Sequence, residues 1–356
     1  MNEGKDINEV KDVNEEKDMN KVKDVNEEKD MNKVKDVNEE KDMNKEEKKD
    51  KSNRWTLSGS IVGAMLITFL LFVVIFPMIS LLIISGIGIF LGYEPVYFFN
   101  NISELAHSDY AVFLLSTYGI IDICLLLFLL FLLLRHKDIL KTLLPGYKNN
   151  NGKSFLFGCL LGFAGNGLGI LVAVLTESIS LKFTGMNIGI AIVSFILLAG
   201  QCIGEEVALR GFLYRTINKR HSAFVAVIFS SLLFAISHLG NRGIGILAVI
   251  NIFLIAVFFA ETVFYFDSIF IAYGFHILWN YTQNFIFGLP NSGLKSFYSF
   301  FGIDTQYDSI FYSTVFGIES TVTTTVVLLV GIVILTIIGQ KKKNIFGKDS
   351  ITPVIE

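Results

Sequence analysis

From Trp55 onward the chain alternates long apolar runs with short polar breaks, whereas the first 54 residues contain no apolar run. An α-helix rises 1.5 Å per residue, so about 20 apolar residues cover the ~30 Å of bilayer hydrocarbon. Eight segments near this length can be drawn, at 57–83, 111–134, 155–176, 187–208 with a polar continuation to 219, 222–239, 243–265, 269–288 and 315–339. The first can run past Pro77 to Leu91 as a tilted or broken helix, because proline removes a backbone donor. The pattern predicts an all-α, polytopic membrane helix bundle of about eight transmembrane helices behind a disordered, charged N-terminal tail.

The tail changes the meaning of the composition. Residues 1–54 hold 14 Lys+Arg and 18 Asp+Glu of the chain's 30 and 33, leaving only 16 and 15 for the remaining 302 residues. From Lys5 the tail repeats in hexads such as KDINEV, KDVNEE and KDMNKV. A six-residue spacing does not keep equivalent positions on one helix face, so neither a coiled-coil seam nor a packed core is expected. Dense Glu, Asp, Lys and Asn with no aromatic residue before Trp55 reads as low-complexity, disordered sequence. Cleavage of a secretory signal is not expected, because the first apolar segment lies behind this tail and far exceeds the h-region of about 7–15 residues. Cys124, Cys159 and Cys202 each sit inside an apolar run without metal-ligand spacing and read as small buried residues. The near-neutral charge balance offers no basic footprint, and no nucleic-acid partner is expected.

Lys and Arg near the segment ends set the orientation. Lys48, Lys49, Lys51 and Arg54 fall on one side, together with Arg135, Lys137, Lys141, Lys148 and Lys153, then Arg215, Lys219 and Arg220, and finally Lys341, Lys342, Lys343 and Lys348. The opposite loops carry Lys182, Arg242 and Lys295 beside Glu94, Glu104, Asp109, Asp304 and Asp308. A multi-pass cell-membrane protein with both termini cytoplasmic is expected. Its divisions are the tail 1–54, N-terminal transmembrane helices 55–154, core helices 155–290, an extracellular loop and last transmembrane helix 291–340, and a cytoplasmic tail 341–356. In the third segment Gly158 with Gly162, and Gly165 with Gly169, offer close helix contact at four-residue spacing.

Ionisable groups inside membrane segments are costly and face the bundle interior or water, which makes each a candidate site. Six polar residues stand out by arrangement: Glu205, Glu206 and Arg210 on the fourth segment, His238 on the fifth, and His276 with Asn280 on the seventh. Glu206 and Arg210 are four apart and can pair, while Glu205 points away from them. Glu205 and His238 lie at similar distances on either side of the turn near Arg220, roughly 22–26 Å from it at the helical rise. That places them about 12–16 Å below the cytoplasmic hydrocarbon boundary, with His276 roughly 12 Å in from its own end. A carboxylate, two imidazoles and an amide are thereby expected at one depth.

A carboxylate with an imidazole can position a water and accept its proton, and amide or imidazole N–H groups can stabilise a developing oxyanion. Hydrolysis of an amide bond by activated water is the economical reading. No Ser or Cys sits in a nucleophile motif. No cofactor is expected, although Glu and two His with water remain compatible with zinc.

The combination EExxxR (Glu205, Glu206, Arg210), FxxxH (Phe234, His238) and HxxxN (His276, Asn280), in this order on separate helices, resembles the CPBP family of CAAX proteases and bacteriocin-processing enzymes, also called Abi. The resemblance covers residues 155–290. It implies an intramembrane glutamic-type endopeptidase in which Glu205 and His238 activate water, His276 and Asn280 hold the oxyanion, and no metal takes part. Peptide or protein substrates, lipid-modified ones among them, and membrane lipids are the implied partners; the family's eukaryotic prenyl proteases remove three residues after a prenylated cysteine. Two other readings stand beside it. One is a non-catalytic membrane scaffold or bacteriocin-immunity protein in which Glu206 and Arg210 lock helices together, and the other is a transporter with coupled carboxylates. Asp122, Asn166, Asn251 and Glu261 fit helix-to-helix hydrogen bonds at least as well as a water-filled cavity.

Overall fold

The computed structural model describes residues 60–90, 92, 94, 110–296 and 298–347. The charged tail read over 1–54 lies outside them, as does the end of the C-terminal segment.

All eight apolar segments are helical. They form α1 (Ile61–Phe90), α2 (Val112–Arg135), α3 (Gly152–Leu175), α4 (Ile188–Asn218), α5 (Ala223–Ser237), α6 (Ile246–Phe266), α7 (Ile269–Tyr281) and α8 (Val322–Gln340). Six are long and apolar enough to cross a membrane; α5 and α7 are the exceptions among the eight drawn from sequence. The shortfall has a different cause in each. Helix α5 stops after 15 residues. Helix α7 is enclosed by protein, with all its residues but Phe270 and Leu278 buried, so its surroundings tolerate the polar His276 and Asn280. A helix covered on every side does not need a lipid-compatible surface.

Local chemistry fixes several starts. The side chains of Ser60, Asn151, Asn187 and Thr321 each accept a hydrogen bond from the backbone N–H three residues on, capping α1, α3, α4 and α8. Such caps satisfy donors that a helix start otherwise leaves unpaired. Among the described residues, four π-helical stretches interrupt the regular winding: Leu70–Ile75 in α1, Leu115–Gly119 in α2, Val207–Leu213 in α4 and Thr282–Ile286 after α7. Widened turns of this kind concentrate at functional sites.

Helices α3 and α7 approach closely through glycine. A Cβ added at Gly158 would collide with the Ile271 carbonyl, one at Gly162 with the Phe275 carbonyl, and one at Gly274 with the Phe155 carbonyl. The glycine spacing in α3 thus brings backbones together, the ordinary means of helix association where lipid removes the hydrophobic drive. Gly162→Ala is expected to force the helices apart at a cost of about 1–3 kcal/mol. A lower thermal midpoint in detergent checks it, with Gly167→Ala as control because a Cβ there meets nothing within 4 Å. Equal midpoints for the two variants would refute close packing as the role of Gly162.

The turns segregate to two ends. At one, Lys148 and Lys343 both pair with Asp267, and Lys219 pairs with Asp138. The α2–α3 connection, the α4–α5 tip, the α6–α7 turn and the segment after α8 therefore meet there. Burial acts to raise the pKa of Asp267, but the two lysines outweigh it and hold the carboxyl below its ordinary value. At the other end the sequence reading missed a small antiparallel sheet. Its strands are β1 (Ile179–Phe183) and β2 (Phe301–Gln306), with Ile179 opposite Gln306, Phe183 opposite Phe301 and a register shift between Ser180 and Leu181. Two strands of five and six residues carry too little alternation to stand out beside membrane-length runs.

Candidate active site

Helix α4 supplies the acidic pair. Glu206 and Arg210 are fully buried, with Nη1 of Arg210 3.1 Å from Oε1 of Glu206, which makes the i, i+4 pairing that the spacing predicts. The π stretch starts immediately after Glu206. Arg210 is held further by an Nη2 bond to the Ala256 carbonyl at 3.0 Å and by the rings of Phe234 and Phe259, whose centroids lie 4.7 and 5.3 Å from its Cζ. One guanidinium thus ties α4 to α5 and α6, and ring faces supply attraction where no second carboxylate reaches.

Glu205 turns elsewhere, also as its helical position predicts. Its Oε1 accepts from Nε2 of Gln201 at 3.1 Å, one turn earlier on α4. His276 stands between the two glutamates, with Nδ1 3.1 Å from Glu206 Oε1 and Nε2 3.9 Å from Glu205 Oε2. An ionised carboxylate only accepts, so Nδ1 carries the proton toward Glu206 and the opposite ring edge faces Glu205. The sequence reading set His276 at one depth with Glu205 and His238 and gave it an oxyanion role beside Asn280, but missed its bond to Glu206.

His238 lies at the end of α5, as its C-cap, rather than within a crossing helix. Its ring packs on Phe234 with centroids 4.6 Å apart, and Nδ1 lies 2.8 Å from the Phe234 carbonyl. A carbonyl oxygen also only accepts. The Nδ1–H bond therefore selects, for the neutral ring, the tautomer whose Nε2 carries a lone pair, the form needed for a base. FxxxH thus has a mechanical meaning, because the i, i+4 phenylalanine supplies both a ring to pack on and a carbonyl that orients the imidazole.

Asn280 directs Nδ2 to the sulfur of Cys202 at 3.6 Å and accepts at Oδ1 from Asn291 Nδ2 at 3.1 Å. Asn291 also donates to Glu319 at 3.3 Å. Glu319 receives Trp279 Nε1 at 3.2 Å on the same oxygen, and the backbone N–H and hydroxyl of Ser292 at 2.6 and 2.8 Å on the other. Burial raises the Glu319 pKa, against the Ser292 hydrogen bonds that act to lower it.

Glu205, His238, His276 and Asn280 line one cavity of ≈ 380 Å³. Phe72, Val73, Pro77, Ile120, Ile121 and Ile252 form much of its apolar wall, and Asn291, Ser292 and Glu319 close its rim from the long loop before α8. Phe72 and Val73 come from the π stretch of α1, and Ser116, Thr117 and Tyr118 from that of α2. Glu206 and Arg210 do not line the cavity and stand behind its wall. Nor do Asp122, Asn166, Asn251 or Glu261 reach it. Asn166 donates to Gln283, Asn251 to the carbonyls of Glu319 and Thr321, and Glu261 accepts from Thr336, so these three make helix-to-helix or helix-to-loop bonds.

The sequence reading passed over Gln201, Asn291, Ser292 and Glu319. Gln201 was accessible to it, being one turn before Glu205 on the same face; the other three are brought in by a loop whose course no local pattern announces. Among the described residues, no three His, Cys, Asp or Glu side chains are grouped to hold a metal ion.

Comparison with known proteins agrees with the three motifs. Residues 187–282 match the family described as Rce1-like, type II CAAX prenyl endopeptidase Rce1-like. The match takes in α4 to α7 and all six candidate residues. No curated protein and no solved structure matches the chain.

Proposed function

Because residues 187–282 match the type II CAAX prenyl endopeptidase family, which supports intramembrane protease activity in general, we propose that this chain hydrolyses a peptide bond with a water activated by Glu205 and His238. The observation that carries the reading is the convergence of Glu205, His238, His276 and Asn280 on one partly apolar cavity inside a helix bundle. A water between Glu205 and His238 loses its proton to the carboxylate or to the free Nε2, and the hydroxide adds to the substrate carbonyl carbon. The oxyanion that forms takes hydrogen bonds from Asn280 Nδ2, which gives up only a weak sulfur acceptor, and from Nε2–H of His276 in its doubly protonated form, whose Nδ1–H stays on Glu206. The proton then passes to the departing amine as the carbon–nitrogen bond breaks.

The apolar wall suits an apolar or lipid-modified peptide segment. The excess of Lys and Arg at one set of segment ends supports a cytoplasmic location for both termini. No metal is assigned to the reaction.

The test uses the full chain purified in detergent with two internally quenched peptides, one ending in a farnesylated cysteine followed by three residues and one identical but unprenylated. Cleavage of at least one is expected, and at an unchanged rate in EDTA. A chain that is monodisperse and thermally stable yet cleaves neither would favour the non-catalytic scaffold reading. The specific observation behind that second reading is the Glu206–Arg210 pair, which joins α4 to α5, α6 and, through His276, α7 without entering the cavity.

A further inference from the structure

The long loop before α8 lies beyond the matched segment, yet it delivers polar groups to the cavity. Their chemistry decides which way the Asn280 amide faces. Glu319 accepts four hydrogen bonds, two on each oxygen. Trp279 Nε1–H and the Ser292 backbone N–H can only donate, one to each oxygen, which favours the ionised form. An ionised carboxylate has no proton to give, so the Asn291 atom directed at it is the NH2 group. That same NH2 lies 3.1 Å from Asn280, which must answer with its carbonyl oxygen. The other half of the Asn280 amide, its NH2, is then turned toward Cys202, on a residue that itself lines the cavity.

We propose that Asn291, held by Glu319, is a positioning residue that sets the amide of Asn280 with its N–H donors facing the reacting carbonyl. The assignment rests on the peptidase reading above and adds to it a determinant outside the family match. Asn280 alone is symmetric enough to flip, and in the flipped state it would present an oxygen to a developing oxyanion, a repulsion in place of a hydrogen bond. The buried carboxylate of Glu319 breaks that symmetry through one intermediate side chain. Glu319 itself is no candidate for the general base, since all its acceptor bonds are already committed to Trp279, Asn291 and Ser292.

The experiment compares Asn291→Asp, Asn291→Ala, Asn280→Ala and the double Asn280→Ala/Asn291→Ala, as full chains in detergent, with the quenched peptide that the wild type cleaves. In Asn291→Asp an acceptor replaces the donor and pulls the Asn280 NH2 away from the cavity. The expected loss is on the order of 10²-fold in kcat, with KM little changed, the scale of losing one oxyanion donor. Asn291→Ala leaves the amide free to choose and loses less. The double variant is expected to be no slower than Asn280→Ala, because a positioning residue has nothing left to position; a merely structural loop contact would lower activity further.

A second readout needs no turnover. The infrared S–H stretch of Cys202, assigned by its absence in Cys202→Ala, is expected to shift in Asn291→Asp as an oxygen replaces the N–H group beside the sulfur. Wild-type kcat in Asn291→Asp with a crippled Asn280→Ala overturns the positioning role alone. Additive losses in the double variant, or an unshifted S–H band, also overturn it. Full activity in Asn280→Ala instead removes the oxyanion assignment on which the peptidase reading depends.

Discussion

Glu205→Gln is expected to reduce cleavage by about 10²–10⁴-fold, the range that positioned general bases contribute, while leaving the protein folded. The variant isolates the chemistry because Gln is nearly isosteric and its oxygen can still accept from Gln201 Nε2, the one hydrogen bond assigned to the Glu205 carboxylate. What it removes is the negative charge opposite His276 Nε2 and the ability to take a proton from water. The measurement is kcat on the cleaved peptide, with thermal midpoint and chromatographic behaviour as controls. A Glu205→Gln enzyme that turns over at the wild-type rate would eliminate this carboxylate as base. Losing both fold and activity together would reassign Glu205 to structure.

Arg210→Met carries the second large effect, and its target is stability. Wild-type Glu206 and Arg210 have no solvent exposure, and their mutual distance is 3.1 Å. Removing one partner of a buried pair strands the other charge and costs about 3–5 kcal/mol, far more than loss of a surface pair. Glu206 would retain only the His276 contact, and Phe234 and Phe259 would lose the cation between them. The expected result is a large drop in thermal midpoint or poor recovery of folded protein from the membrane. The double variant Glu206→Gln/Arg210→Met should recover a large part of that loss, since no uncompensated charge remains in the interior. If Arg210→Met alone melts like the wild type, the pair is not what makes Glu206 tolerable there.

These two residues also show how far the sequence carries. Glu206 and Arg210 were legible because an i, i+4 spacing is a geometric statement within one helix, and so was the divergence of Glu205 from them. The apolar segments were legible by length, and His276 and Asn280 by their four-residue spacing within one of them. His238 was found, and its place near the helix end was legible too, since the segment drawn over 222–239 stops one residue beyond it, before Gly240 and Asn241. Nothing local marked the approach of Glu319 to Trp279, which is separated from it by 40 residues. The same is true of the bridge from His276 across 70 residues to Glu206. Contacts of that kind follow from how helices and loops pack, information that a periodic reading of one segment does not contain. The π stretches escaped for another reason, since one extra residue in a turn leaves hydropathy almost unchanged.

Helix α5, with its 15 residues, is only about 22 Å long at the helical rise, against roughly 30 Å of bilayer hydrocarbon. Its side chains Leu232 and Ile236 are exposed on the outward face, whereas Phe224 packs on Phe346. Where such a short helix borders lipid, hydrophobic mismatch would draw the adjoining leaflet in beside His238, at a cost of fractions of a kcal/mol per Å. Lipids with shorter tails relieve that deformation and bring headgroup water nearer to an imidazole that sits where the helix gives out.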